Sequence, residues 1–264
     1  MPEGDTIHRA ARRLAGVLDG RRLTRLEAPR LSRPMPPAGT GVVSAEARGK
    51  HLLIHFDDGH VLHTHMRMNG SWHTYAAGAR WQRSPRRMRV VLADDEVQAV
   101  CFDAPVVELL DEPALDRHPA LRALGPDLVV DDDAVEVGLQ RMVALGTADR
   151  LAVEVLLDQR IVAGIGNVYA NEVTFLSGVN PSTPLSAIAV GERQSMLADA
   201  QRLLRANLAT TARTTVPGPR GGLWVYDRAG RPCRRCGTTL VGAAIGDGAR
   251  PTTWCPTCQP PADA

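Results

Sequence analysis

The chain has 264 residues, 44% of them hydrophobic and 23% charged, with a net charge of +2. Against roughly 100–200 residues per domain, this predicts about two compact units with ordinary cores and excludes a disordered chain. No apolar run approaches the ~18–20 residues of a membrane span, and the opening MPEGDTIHRAARRL has no apolar signal core, so the expectation is a soluble, intracellular protein.

Residues 1–20 have the spacing of an amphipathic helix. Ile7, Ala10, Ala11, Leu14, Val17 and Leu18 fall on one face and Arg9, Arg12 and Arg13 on the other. Asp5 or Thr6 is the expected cap and Gly20 the stop. From residue 22 to 110 the period changes to short β-rich runs, VVSAEAR, HLLIHF, HVLHTHM, MRVVLA, VQAVCF and VVELL, separated by turns such as Asp57-Asp58-Gly59. These predict an antiparallel, two-layer β-sandwich. Asp111 to Asp133 reads as a connecting stretch. Helical patterns then run from Ala134 to about Thr211, in AVEVGLQRMVAL, RLAVEVLLDQ, NVYANEVTFL and ERQSMLADAQRLLRANL. Asn167, after Ala163-Gly164-Ile165-Gly166, is the expected N-cap of the third. The last fifty residues are rich in Gly, Pro and Cys and predict no helix. The domains expected are 1–117, a linker at 118–133, a helical domain at 134–215 and a ribbon at 222–259.

Four of the five cysteines form Cys233-x₂-Cys236 and Cys255-x₂-Cys258, eighteen residues apart. Two such knuckles are thiolate spacing for one tetrahedral Zn²⁺, and with all four positions filled by protein the metal is structural. It replaces the core that a ribbon of about forty residues cannot build. Disulfides are the alternative, disfavoured in a reducing compartment. Arg231, Arg234, Arg235 and Arg250 around the knuckles point to nucleic acid but not to catalysis. Cys101 reads as a small buried hydrophobe.

The Gly-rich turn before Asn167 reads either as a phosphate seat at a helix N-terminus or as an ordinary helix–helix turn. It lacks the strand-first context and the Gly-Lys-Ser of nucleotide sites, so no nucleotide cofactor is expected. The cations are 30 arginines and one lysine, Lys50. Drift of Lys to Arg explains the excess, and under such drift the survivor points to a place that needs a titratable amine. Pro2 follows Met1, the arrangement from which the initiator is trimmed to leave a secondary amine beside Glu3. An α-amino group, with a pKa of about 7.7–8.0 against about 10.4 for Lys, is nucleophilic near neutrality. Met-Pro also begins chains for no chemical reason.

In order along the chain stand Met1-Pro-Glu-Gly, Arg48-Gly-Lys50, Gly164-Ile-Gly-Asn167-Val-Tyr, and a Cys₄ ribbon ending Arg250-Pro-Thr-Thr-Trp-Cys-Pro-Thr-Cys-Gln259. Together they resemble the formamidopyrimidine-DNA glycosylase/endonuclease VIII family over nearly the whole chain. MPEGDT with LDQRxxAGIGNVYxNE is most similar to the endonuclease VIII branch of actinobacterial type. The resemblance implies a multidomain α+β fold: an N-terminal antiparallel β-sandwich with its helix, a helix–two-turn–helix domain, and a Cys₄ zinc-ribbon hairpin, with DNA in a cleft. It implies a bifunctional glycosylase and AP lyase of base excision repair, acting on oxidised bases, pyrimidines in particular, by β,δ-elimination. Pro2 would be the nucleophile at C1′ and Glu3 the proton donor. Lys50 would serve in proton transfer or phosphate contact, and Arg250 in the second elimination. Asn167 would hold phosphates. In the loop His65-Met-Arg67-Met68-Asn69-Gly70, Met68 would wedge into the gap left by a flipped base and Arg67 would meet the orphaned partner or a phosphate; a strand-end core position is the alternative for Met68. His63 and His65 read as phosphate contacts or surface, since no third metal ligand is apparent.

The chain departs from the family pattern at three places. Thr6 stands where relatives carry a second Glu, Cys101-Phe-Asp-Ala-Pro-Val-Val-Glu108 has no Arg-x-Phe wedge, and Ala123 replaces an Arg before Gly-Pro-Asp, with Arg122 one place earlier. The partner implied is damaged DNA, engaged by a cytoplasmic, nucleoid-associated monomer that uses one structural Zn²⁺ and no membrane. The rival is a catalytically decayed zinc-ribbon DNA-binding protein, which would not need Pro2, Glu3 and Lys50.

Overall fold

In the computed structural model, residues 2–218 and 221–262 are described, and the chain divides after Ala123 into two compact units. In the first, α1 (Gly4–Leu18) precedes β1 (Arg25–Glu27), β2 (Val42–Arg48), β3 (His51–Phe56), β4 (His60–His65), β5 (Ser71–Ala76), β6 (Met88–Ala93), β7 (Val97–Phe102) and β8 (Val106–Asp111). The strands make two four-stranded antiparallel sheets, ordered β1-β6-β7-β5 and β2-β3-β4-β8. Ile7, Ala10, Ala11, Leu14 and Leu18 of α1 join Leu52, Ile54, Leu62, Val90, Leu92 and Ala99 in one core. This is the sandwich that the short β-rich runs predict.

The helix cap differs from expectation. Glu3, extended at φ −127°, is the N-cap, and its carbonyl accepts from the Thr6 and Ile7 N–H groups. Asp5 and Thr6 lie inside the first turn, where the Thr6 hydroxyl donates to Asp5 Oδ1 at 3.2 Å. Asp111–Asp133 is not a plain connector. It holds α2 (Glu112–Arg117), capped by Asp111 Oδ1 accepting from Ala114 N–H, and α3 (Pro119–Arg122), capped by His118.

In the second unit α4 (Ala134–Leu145), α5 (Ala152–Leu157), α6 (Asn167–Leu176) and α7 (Val190–Ala206) surround a core of Val153, Ile161, Ile165, Tyr169, Val173, Met196, Leu197 and Leu204. Residues Asn167 to Phe175 of α6 are all buried, which makes α6 the axis of this unit. β9 (Val241–Ile245) and β10 (Arg250–Trp254) form the C-terminal hairpin. Among the described residues no helix is long and apolar enough to cross a membrane.

Candidate DNA-processing site

Pro2 and Glu3 stand at the start of α1, and Glu3 is completely buried. The far end of α1 is tied to the start of β2, where Gly20 N–H donates to the Val42 carbonyl at 2.8 Å. The helix packs along β2. Fifteen helical residues span about 22 Å and seven strand residues about 23 Å. The helix and the strand are therefore matched in length, and β2 ends at the turn into β3. That turn is Gly49-Lys50. Two residues suffice because Gly49 adopts φ 58°, in the left-handed region that tight hairpins require. The amino end thus stands at the head of α1, and the single lysine in the hairpin turn between β2 and β3.

The turn after β4 presents Arg67 and Met68. Met66 is in the core, Gly70 N–H donates to its carbonyl at 2.9 Å, and a Cβ on Gly70 would lie 2.7 Å from that same oxygen. The loop is pinned at its base, and Arg67 is left-handed at φ 44° with its N–H donating to His65 Nδ1 at 3.2 Å. Met68 is 62% exposed at the tip, so it is not a strand-end core residue. Arg83 reaches the Asn69 carbonyl from one side and Asp103 from the other, at 3.4 and 2.8 Å.

His63 is not at the surface. It is 1% exposed and faces Glu108 across the β4–β8 register. Its Nδ1 meets Glu108 Oε2 at 2.7 Å and its Nε2 meets His51 Nδ1 at 2.8 Å, while His118 Nε2 meets the same Glu108 oxygen at 3.1 Å. Burial, then the neighbouring imidazoles and Lys50, push His51 down to about 3. Burial, His63, Lys50 and Arg67 push His65 to about 4. These imidazoles are neutral at physiological pH. The motif His63-x-His65 showed none of this, because Glu108 and His118 are distant in sequence.

In the second unit Asn167 is the first helical residue of α6, and Gly166, extended at φ −120°, takes the N-cap position. The Asn167 side chain is used elsewhere: Nδ2 donates to the Pro251 carbonyl at 2.7 Å, and the buried Oδ1 has no partner. One turn on, Asn171 Oδ1 accepts from Thr253 N–H at 2.6 Å, so α6 holds β10 by two amides. The next residue, Glu172, is fully buried. Its carboxylate accepts from the N–H groups of Trp224, Val225 and Tyr226 at 2.7–2.9 Å and from the Thr215 hydroxyl, which fastens the chain leading into the ribbon. Arg250 opens β10 after a tip in which Ala249 is left-handed and Asp247 N–H donates to Glu154 Oε1 at 2.9 Å. Asn171, Glu172 and Glu154 are positioning residues that no spacing rule marked. The Asn-Glu that follows Asn167-Val-Tyr-Ala was the available signal.

The four cysteine sulfurs cluster, with Cys236 3.5 Å from Cys255 and from Cys258, and Cys233 4.0 Å from Cys258. These separations match the ~3.8 Å edge of a tetrahedron with Zn–S bonds of about 2.3 Å, and they are far from the ~2.05 Å of a disulfide. The donor set fits Zn²⁺. Gln259 ties the knuckle to the helices, accepting from Cys255 N–H and donating to the Val179 carbonyl. Cys101 is buried, which pushes its thiol up to about 12 and makes it inert.

Known protein families match this chain in three consecutive stretches. Residues 1–105 match the formamidopyrimidine-DNA glycosylase N-terminal domain, 124–217 its H2TH domain, and 230–261 the zinc finger found in FPG and IleRS. A Streptomyces coelicolor protein named "Probable endonuclease 8 2" is 43% identical over 98% of this chain and 94% of its own. The DNA-(apurinic or apyrimidinic site) lyase Nei2 of Mycolicibacterium smegmatis is 39% identical over 98% and 99%. A Lactococcus lactis Fpg in complex with abasic-site DNA superposes with a TM-score of 0.81 over 98% of this chain and 100% of that one, at 21% identity, a likeness of fold. With three consecutive domain matches and full-length relatives above 30% identity, the chain belongs to the formamidopyrimidine-DNA glycosylase/endonuclease VIII family.

Proposed function

We propose that the protein is a bifunctional DNA glycosylase and AP lyase of base excision repair, acting on oxidised bases, pyrimidines foremost. The observation that supports this reading is the packing of α1 along β2, with the end of the helix tied to the start of the strand, an arrangement that suits a site shared by Pro2, Glu3 and Lys50. Once Met1 (outside the described residues) is removed, the Pro2 secondary amine attacks C1′ of the damaged nucleotide. The C1′–N bond forms as the base leaves with a proton supplied by Glu3. The Pro2 nitrogen returns its own proton to the Glu3 carboxylate, and its lone pair then expels O4′, which takes that proton as the sugar ring opens. This leaves an iminium that is cationic without further protonation and draws electrons from C2′. The Lys50 nitrogen takes the C2′ proton, the C–H electrons move toward the iminium, and the 3′ phosphate departs. Arg250 assists the second, δ, departure by stabilising charge that develops on phosphate. Asn167 offers a backbone phosphate its main-chain N–H at the positive end of α6, while its side chain stays on the Pro251 carbonyl.

Met68 and Arg67 take the space of the extruded nucleotide, and the smaller stacking energy of a lesion favours its extrusion over an intact base. Zn²⁺ held by Cys233, Cys236, Cys255 and Cys258 fixes the hairpin that presents Arg250, and supplies no chemistry of its own. The protein acts as a monomer on chromosomal DNA, and therefore in the cytoplasm. Borohydride reduction in the presence of abasic-site DNA tests the reading. It is expected to give a covalent adduct that maps by mass spectrometry to Pro2, and Pro2→Gly, which keeps an amine, is expected to retain some of it. Tight DNA binding with no adduct, or an adduct on another residue, overturns the proposal in favour of a binding protein.

A further inference from the structure

The imidazoles behind Lys50 form a chain with a defined direction. His118 caps α3, with Nδ1 accepting from Leu121 N–H at 3.3 Å. A nitrogen that accepts a backbone N–H carries no proton, so in neutral His118 the proton sits on Nε2 and is donated to Glu108 Oε2. His63 Nδ1 donates to that same oxygen, which leaves His63 Nε2 as the acceptor for His51 Nδ1–H. The ends of the chain follow from this. At one end is the lone pair of His51 Nε2, on the residue after Lys50, in a ring whose centroid is 4.8 Å from that of His65 at an interplanar angle of 70°. At the other is Glu108, whose side chain is 42% exposed while that of His63 is 1% exposed. The charged and titratable groups acting on these imidazoles are Lys50 in the turn, His63 and His65 on β4, Arg67 after it, Glu108 on β8 and His118 before α3. The same assignment disfavours a metal at His63, Glu108 and His118, although their ligand atoms lie within 4.8 Å of one another, because His118 would have to give up the Leu121 cap to offer Nε2.

We propose that His51, His63 and Glu108 are a proton relay between Lys50 and solvent, with His118 as the residue that positions Glu108. This rests on the role of Lys50 given above. The ammonium formed when Lys50 takes the C2′ proton passes that proton to His51 Nε2. The Nδ1 proton of His51 moves to His63 Nε2, the Nδ1 proton of His63 moves to Glu108, and Glu108 releases a proton to water. The tautomers revert when a proton returns along the same path to Lys50 and protonates the departing phosphate oxygen, so the cycle neither gains nor loses protons.

The test is single-turnover strand scission on abasic-site DNA in H₂O and D₂O by the full-length zinc-loaded enzyme, Glu108→Gln and His63→Asn. Glu108→Gln keeps an oxygen that accepts from both rings, and His63→Asn keeps a donor toward Glu108, but neither passes a proton. Both are expected to retain DNA affinity and the borohydride adduct while scission slows about tenfold, with a larger solvent isotope effect. A purely structural role would not move the isotope effect. Wild-type scission rates and isotope effects in both variants overturn the relay alone, whereas failure of the wild type to form the adduct overturns the Pro2 reading and the relay with it. A second zinc equivalent per chain that Glu108→Gln loses also overturns the relay, by making the trio a metal site.

Discussion

Lys50 and Met68 are the two residues whose chemistry is most exposed to test. Arginine at position 50 would keep the cation and any phosphate contact but hold its proton. Lys50→Arg is therefore expected to bind abasic-site DNA as the wild type does and to cleave it about 100-fold more slowly in single-turnover assays; full activity would return Lys50 to the role of a phosphate contact. Met68 offers an exposed apolar side chain on a loop braced by Met66 and Gly70. Truncation to alanine removes roughly 1.5 kcal/mol of apolar burial, equivalent to about tenfold in affinity. Met68→Ala is expected to lose that factor in excision of a damaged base and less on a preformed abasic site, measured side by side. At this scale the sequence marked rare chemistry, one lysine, one amino end and a quartet of cysteines, the last borne out by the clustering of the four thiols. It was silent on His63–Glu108–His118, because a buried hydrogen-bond chain is set by strand register and leaves no local pattern.

The elements show the same division. β2, β3, β6 and β7 were legible to the residue because turn residues bound their short β-rich runs. β1 is three residues long, and β5, Ser-Trp-His-Thr-Tyr-Ala, buries only Trp72, so neither carries a hydrophobic period. α4 and α6 match their predicted runs, but the caps were misplaced in α1 and α6. Asp, Thr and Asn are good caps in general, yet here Glu3 and Gly166 have the extended backbone the position needs, and Asn167 is drawn to Pro251. The turn between α5 and α6 is held by Asp158, whose carboxylate meets Arg160 at 2.6 Å and Arg150 at 3.0 Å and is thereby held down at about 2. A folded-state value below the 3.8 of the free group stabilises the fold above that value, and the benefit disappears as pH falls through about 2. Asp158→Asn is thus expected to be less stable than the wild type near neutrality, with the gap closing between the two values; denaturant unfolding across that range checks it.

For the whole molecule, the zinc prediction is the most direct. A metal that completes the core of a small ribbon contributes its binding energy to folding. Native mass spectrometry is expected to find one zinc per chain. Chelation is expected to lower the thermal transition of the C-terminal unit and abolish tight DNA binding while the N-terminal sandwich melts as before; unchanged melting of both units would remove the metal from the fold. What the sequence by itself determined is the sandwich, the helical unit, the thiolate quartet and the family, because each rests on periodicity or on spacing within a few dozen residues. Only the tertiary structure decided that Met68 is exposed, that Asn167 binds the hairpin, that Glu172 and Glu154 fasten the ribbon, and that His51 leads through His63 to Glu108. These are contacts between residues brought together by strand pairing and helix packing, and a linear pattern does not encode which buried polar group will find which partner.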